Sequence, residues 1–302
     1  MRLSAVSIPV VIALLAATAL PAQEHPVRNV TNDSAQQGFP SWSPDGQTIV
    51  FSSASQDSPE ETGLWKVRVD GGKPWQFTDF IAEHPHWSPH DQYIVFDADS
   101  GNSIKVVSSQ GGFPIRVVPE DTQVFRGGNP IWAPDGSRLA FREGFNLWVM
   151  DVATGQAEIA LSREGMYPIP GCWSPDGTDI FVTLRGSESH ESEIWQVAAI
   201  GAEAQQVVFD DDLVYRYMDV SPDGTLLVYT ACEERDCNLW VGAVDGGRPV
   251  QLTFDPAYDD TPRWSPDGTK IAFTSTRSGA FDVWVMEPDL ERIRTALDAE
   301  VE

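Results

Sequence analysis

The string Trp-Ser-Pro-Asp-Gly returns six times along the chain, and this repetition limits the possible folds more severely than any other feature. It stands at residues 42–46, 173–177 and 264–268. Ala133 replaces Ser in the copy at 132–136, and Val220 replaces Trp in the copy at 220–224. The second copy is altered to Trp87-Ser88-Pro89-His90-Asp91. The intervals are 45, 45, 41, 47 and 44 residues. Each copy runs into an apolar segment such as Ile49-Val50-Phe51 or Ile271-Ala272-Phe273, then a polar loop, then a second segment such as Leu147-Trp148-Val149-Met150. A turn such as Asp70-Gly71-Gly72 or Asp245-Gly246-Gly247 leads to a third, as in Pro249-Val250-Gln251-Leu252-Thr253. Pro presets φ and Gly accepts positive φ, so these strings suit tight hairpins. With the short strand that carries the Trp, each unit supplies four antiparallel strands, the content of one propeller blade.

Six units predict an all-β fold: a six-bladed β-propeller of four-stranded antiparallel blades. The sixth unit has only three strands before Pro288, and the missing one stands at the other end. His25-Pro26-Val27-Arg28-Asn29-Val30-Thr31 matches Arg248–Thr253 and Lys73–Thr78. The N-terminal strand is therefore expected to complete the last blade and remove the open edge. Five of the eleven tryptophans lie in the motif, and five more (Trp65, Trp148, Trp195, Trp240, Trp284) share one position after the polar loop. Residues repeated in every blade read as packing between blades rather than as sugar-stacking platforms. Lys105 replaces the tryptophan of the second unit, and nothing in the sequence explains it.

The run Pro262 to Met286, with Trp-Ser-Pro-Asp-Gly, Ile-Ala-Phe and Asp-x-Trp-Val-Met, resembles the PD40 or TolB-like propeller repeat, a WD40-like family. The resemblance spans about residues 25–287. It implies a periplasmic setting and protein contacts made through the propeller. Only about three residues separate the expected leader from the closing strand, so the α/β domain that precedes the propeller in TolB itself is not expected here. Similar propellers precede the catalytic domain of prolyl-oligopeptidase-type peptidases, for which the residues after Met286 are too few.

Val6 to Leu20 is apolar, follows Arg2 and ends in Ala17, Ala19 and Ala22, which reads as a secretory signal peptide over 1–22. The expected division is signal peptide 1–22, propeller 23–287 and a short acidic tail or helix 288–302, in which Leu290, Ile293 and Leu297 keep helical spacing. The protein is then periplasmic or secreted, not inserted in the membrane after signal removal, and monomeric. A net charge of −25, from 20 basic and 45 acidic residues, argues against nucleic acid and anionic lipid. An exported chain can oxidise Cys232 and Cys237, which bracket a four-residue loop, and a hairpin-loop disulfide is expected. Cys172 is expected to be a buried thiol.

The long loops gather at one end of the channel, opposite the Pro-Asp-Gly turns. Residues that differ between blades there are the candidates for binding. The residue before each motif Trp, or before Val220, varies as Ser41, His86, Ile131, Cys172, Asp219 and Arg263. The preceding loops add His84, Arg126, Tyr167, Tyr215, Arg216, Tyr217, Tyr258, Asp259 and Asp260. Tyr and Arg favour contact with a protein or peptide. Asp210–Asp212 with Asp219, or Asp259 with Asp260, offer oxygen ligands, but no Asp-x-Asp-x-Asp-Gly loop is present and solvated loops are expected. His84 and His86 would share a face of an extended strand, yet no third histidine falls near them. No metal or other cofactor is expected. Gly-x-Ser-x-Gly, His-Glu-x-x-His and phosphate-cradling loops are missing, which argues against catalysis. The sequence thus points to a non-catalytic binding module for a protein or peptide. The alternative is an enzyme or binding protein acting on a glycan or small molecule in the channel.

Overall fold

A computed structural model describes residues 25–32, 35–55, 58–99, 101, 103–117, 127–188, 191–201, 203–207, 213–234 and 236–299. The expected signal peptide lies outside them. Among these residues no helix is long and apolar enough to cross a membrane. The strands form six four-stranded antiparallel sheets. Blade 1 runs outward through Gln36–Trp42, Thr48–Ala54, Gly63–Arg68 and Trp75–Gln76. In blade 6, Asp259–Trp264, Ile271–Ser275 and Asp282–Met286 are completed by Val27–Asn29 from the other end of the chain. Val27 lies opposite Met286 and Asn29 opposite Trp284, so the ring closes as the sequence predicts.

Second strands such as Leu139-Ala140-Phe141 are apolar without alternation because a blade packs on a neighbour through both faces. Phe51, Phe96, Phe141, Tyr229 and Phe273 hold one equivalent place in five blades and are wholly buried, each contributing about 1.5–3 kcal/mol by leaving water. The outermost strands of blades 1, 2 and 5 are only two residues long, which leaves little edge there for pairing with another molecule, whereas that of blade 3, Ala157–Ser162, is longer.

The motif builds its own turn. Ser43 Oγ donates to Asp45 Oδ1 (2.6 Å) and accepts from Thr48 N–H (2.9 Å), and Asp45 Oδ1 also accepts from Gln47 N–H (3.0 Å). The same bonds recur around Ser174, Ser221 and Ser265. Each motif glycine has positive φ and lies against the motif proline of the preceding blade, from Gly268 on Pro222 round to Gly46 on Pro266. Trp42 Nε1 reaches back across a blade boundary to Arg263 O (3.0 Å).

The closing strand is latched through Asp282, a wholly buried carboxylate. It accepts from Asn29 Nδ2 (3.0 Å), Thr31 Oγ1 (2.8 Å) and the Ser278 hydroxyl, while Val283 N–H donates to Thr31 Oγ1 (3.0 Å). The C-terminal helix, Leu290–Asp298, is capped by Asp289 and buries Ile293 against blades 5 and 6. Arg294 ties it to the turn face through Asp223 Oδ2 (2.6 Å) and Thr225 Oγ1 (2.9 Å). Cys232 and Cys237 lie opposite each other on a hairpin and form a disulfide, and Cys172 is a buried free thiol. Lys105 pairs with Asp99 (3.0 Å).

Candidate functional site

Every inner strand breaks register a few residues before its motif Trp or Val220, between residues 38/41, 83/86, 128/131, 170/172, 215/218 and 260/263. Such bulges re-aim side chains at the rims of closed sheets. Phe39, His84, Asn129 and Thr261 stand there with φ near +50°, and Tyr217 holds the same place in blade 5. Phe39, His84, Asn129, Pro170 and Tyr217 then line one central space with His86 and Arg263, about 300 Å³ with open solvent included.

Aromatic rings close that space. Phe39 lies 4.0 Å from His84 and 5.5 Å from Tyr217, centroid to centroid, and His84 lies 6.4 Å from Tyr217. Blades 1, 2 and 5 thus meet on the axis. Deeper in the channel, Arg263 Nη1 reaches from blade 6 to the carbonyls of Gly171 (2.6 Å) and Met218 (3.0 Å), with Asp219 Oδ1 at 4.0 Å.

The residues before the motif Trp act between blades. Ser41 Oγ accepts from Trp87 N–H (3.0 Å), His86 Nδ1 from Trp132 N–H (3.2 Å) and Asp219 Oδ2 from Trp264 N–H (2.7 Å). As an acceptor at Nδ1, His86 carries its proton on Nε2. Burial, helped by Arg263, pushes its pKa down to about 3 and keeps it neutral. Burial pushes Asp219 the other way, up to about 6, against the attraction of Arg263.

At the rim, Arg216 Nε lies 3.3 Å from Asp260 and its guanidinium stands over the Tyr217 and Tyr258 rings, 5.9 and 5.7 Å from their centroids. Burial, reinforced by Asp260, raises the Tyr217 phenol to about 12. Arg277 pairs with Asp259 (2.7 Å) and Asp255. Asp259 and Asp260 are both buried, and desolvation raises both carboxyls, Asp259 to about 6. Tyr258 packs on Phe281, Tyr215 on Tyr229 and Tyr167 on Phe145. His84 Nδ1 bonds Asp97 Oδ2 (2.8 Å). The bulge at His84 breaks the alternation that would have put His84 and His86 on one face, and the two rings bond to different partners. Arg126 and Asp210–Asp212 lie outside the described residues.

The structure thus gathers His84, Arg216, Tyr217 and Tyr258 at the mouth, while His86, Asp219, Asp259, Asp260 and Arg263 are engaged within the protein. Tyr167 and Tyr215 sit farther out, in ring contacts of their own. Phe39, Asp97, Asn129 and Arg142 were missed. Comparing the six units three residues before the motif Trp, rather than one, would have found Phe39 and Asn129. Among the described residues no three His, Cys, Asp or Glu side chains are grouped to hold a metal ion.

No family model matches the chain. Tol-Pal system protein TolB of Anaeromyxobacter dehalogenans is 32% identical over 144 residues, which cover 41% of this chain and 28% of that protein. The chain matches less than two thirds of the length of the first curated relatives it resembles. Among solved structures, TolB of Acinetobacter baumannii superposes with a TM-score of 0.62 at 16% identity, covering 85% of this chain and 64% of that one. A gluconolactonase of Xanthomonas campestris gives 0.66 at 13% identity, covering 86% and 89%. At such identities the likeness is one of fold. The chain is a TolB-like six-bladed β-propeller.

Proposed function

We propose that this protein is a non-catalytic binding module, monomeric and exported to the periplasm or cell envelope, whose long-loop mouth takes a protein or peptide. The aromatic closure of the channel by Phe39, His84 and Tyr217 carries this reading. Small-molecule sites are concave and bury most of their ligand, within about 300–1,000 Å³. Here the central space is at the bottom of that range even with solvent counted, and rings occupy its axis. Around it stand Arg216, Tyr217 and Tyr258, residue types enriched at protein-binding hot spots. The similarity to TolB and the leader-like N-terminus support the envelope setting.

The gluconolactonase likeness supports the alternative, a small molecule or glycan handled in the channel. It draws less support from the residues, since His86 and Asp219 already bond the backbone of the next blade.

The test is a crosslinking capture from envelope extract with the mature chain and with a Phe39→Ala/Tyr217→Ala variant of unchanged circular dichroism. A polypeptide that the wild type captures and, once purified, binds one to one, and that the variant binds at least about tenfold more weakly, is the expected result. Equal binding by both proteins, or no stoichiometric partner, overturns the reading.

A further inference from the structure

The residue after the buried aromatic of each second strand forms a ring around the mouth: Ser52, Asp97, Arg142, Thr183, Thr230 and Thr274 (Val182 stands in place of the aromatic in blade 4). Four of the six are hydroxyls. Ser52 bonds Gly38 O (3.0 Å), Thr183 bonds Arg216 O, and Thr274 bonds Thr261 Oγ1 (2.7 Å), so in three blades the hydroxyl ties the second strand to an inner strand. Blades 2 and 3, which are neighbours, carry opposite charges instead.

Those charges are only partly matched. Asp97 is 5% exposed; its Oδ2 accepts from His84 Nδ1 (2.8 Å) and Asn129 N–H (3.1 Å), whereas its buried Oδ1 has no hydrogen-bond partner among the described residues. An unpaired buried carboxylate oxygen is costly unless a donor reaches it. Arg142 lies over the Tyr167 ring, 5.6 Å from its centroid, and pairs with no carboxylate among the described residues. Between them is Gly128, where a Cβ would stand 3.2 Å from Arg142 Nη2 and 3.4 Å from Asp97 Oδ2. Its φ is not positive, so glycine is not needed there for backbone conformation. A side chain there would press on both groups, on the Asp97 side against the oxygen already bonded to His84 and Asn129. The Phe39–His84–Tyr217 cluster adjoins Asp97 through His84.

We propose that the seam between blades 2 and 3 is a binding site for an α-ammonium group next to a carbonyl or carboxylate oxygen, as presented by the N-terminal residue of a peptide or by a free amino acid. The ammonium donates to Asp97 Oδ1, and Arg142 donates to the neighbouring oxygen. Partly buried Arg142 is the wall that moves to admit it. In its peptide form the proposal rests on the peptide-binding reading above and names its chemistry.

The experiment is isothermal titration of the mature chain with phenylalanylglycine, its N-acetylated form and free phenylalanine. The dipeptide is expected to bind saturably and its acetylated form at least about tenfold more weakly, because acetylation removes the cation. Gly128→Ala should weaken the dipeptide by a similar factor at unchanged melting temperature, since its methyl group crowds Arg142 Nη2 and Asp97. Asp97→Asn should abolish the preference for the free amine. Free phenylalanine binding as tightly as the dipeptide supports the same site with an amino acid as its ligand. Failure of all three probes to bind, or equal binding of the free and acetylated dipeptides, overturns the site. A captured partner that needs Phe39 and Tyr217 but tolerates Gly128→Ala overturns it as well, while leaving the mouth reading standing.

Discussion

At the Pro-Asp-Gly turns the aspartates stand at the surface with their carboxylates supplied with donors, whereas around the mouth and channel they are buried with fewer, and their acidity moves in opposite directions. The Ser265 hydroxyl and Thr269 N–H hold Asp267 down at about 2, and the corresponding groups do the same for Asp176. Asp219 and Asp259 are driven up to about 6 by desolvation, in spite of Arg263 and Arg277. Hydrogen bonds favour the charged form and burial the neutral one. The turn face solves one local problem repeatedly, while each mouth residue answers to whatever the neighbouring blades place beside it.

Removal of the Asp282 carboxylate tests this difference most severely. Asp282→Ala strands the donors of Asn29, Thr31 and Ser278 at the mouth end of blade 6, and a loss of about 3 kcal/mol is expected in urea unfolding. A loss below about 1 kcal/mol would put this latch on a par with the turns.

Acid titration separates the two faces by sign. A carboxyl whose folded pKa is raised contributes stability below its unfolded value, and that contribution is lost as pH rises through the folded one. Asp219 and Asp259 should therefore make the protein less stable as pH goes from about 4 to 6, by about 2 kcal/mol for Asp219. Asp219→Asn, which keeps an acceptor for Trp264 N–H, should flatten this slope. The turn aspartates do the reverse: their stabilisation is present above the ordinary carboxyl range and disappears as pH falls through about 2. A single downward slope from pH 6 to 2, unchanged by Asp219→Asn, would contradict the contrast.

The smallest effects belong to single turns. Asp176→Ala and Asp267→Ala should each cost about 1 kcal/mol and match one another, because each loses the same bonds. Asp223→Ala should cost more, since Arg294 of the C-terminal helix is released as well. Unequal losses at 176 and 267 would show that even the repeated face feels its blade.

The turn face was legible in the sequence because its hydrogen bonds link residues within five positions of one another, from Ser43 to Thr48. The mouth was legible only as a place. Its partners lie about one blade apart in sequence, as Trp132 does from His86, or farther, as Gly171 does from Arg263. A one-residue bulge also decides which side chains enter the channel. Position counting therefore chose the residue before the motif Trp, which serves the next blade, and passed over Phe39, which turns to the axis. Tyr217 and His84 were found because their residue types stood out, and the strand geometry then placed them together.

The closing strand also sets an order of events in folding. Blades 1 to 5 are each built from contiguous sequence, whereas Thr31 and Asn29 meet Asp282 across 251 and 253 residues. Bringing such distant segments together costs about 3 kcal/mol more in chain entropy than closing a ten-residue hairpin. The sixth blade is thus expected to assemble last and to come apart first. The amides of Val30 and Val283, which bond across this junction, should exchange with solvent ahead of those in the interior of blades 2 to 5.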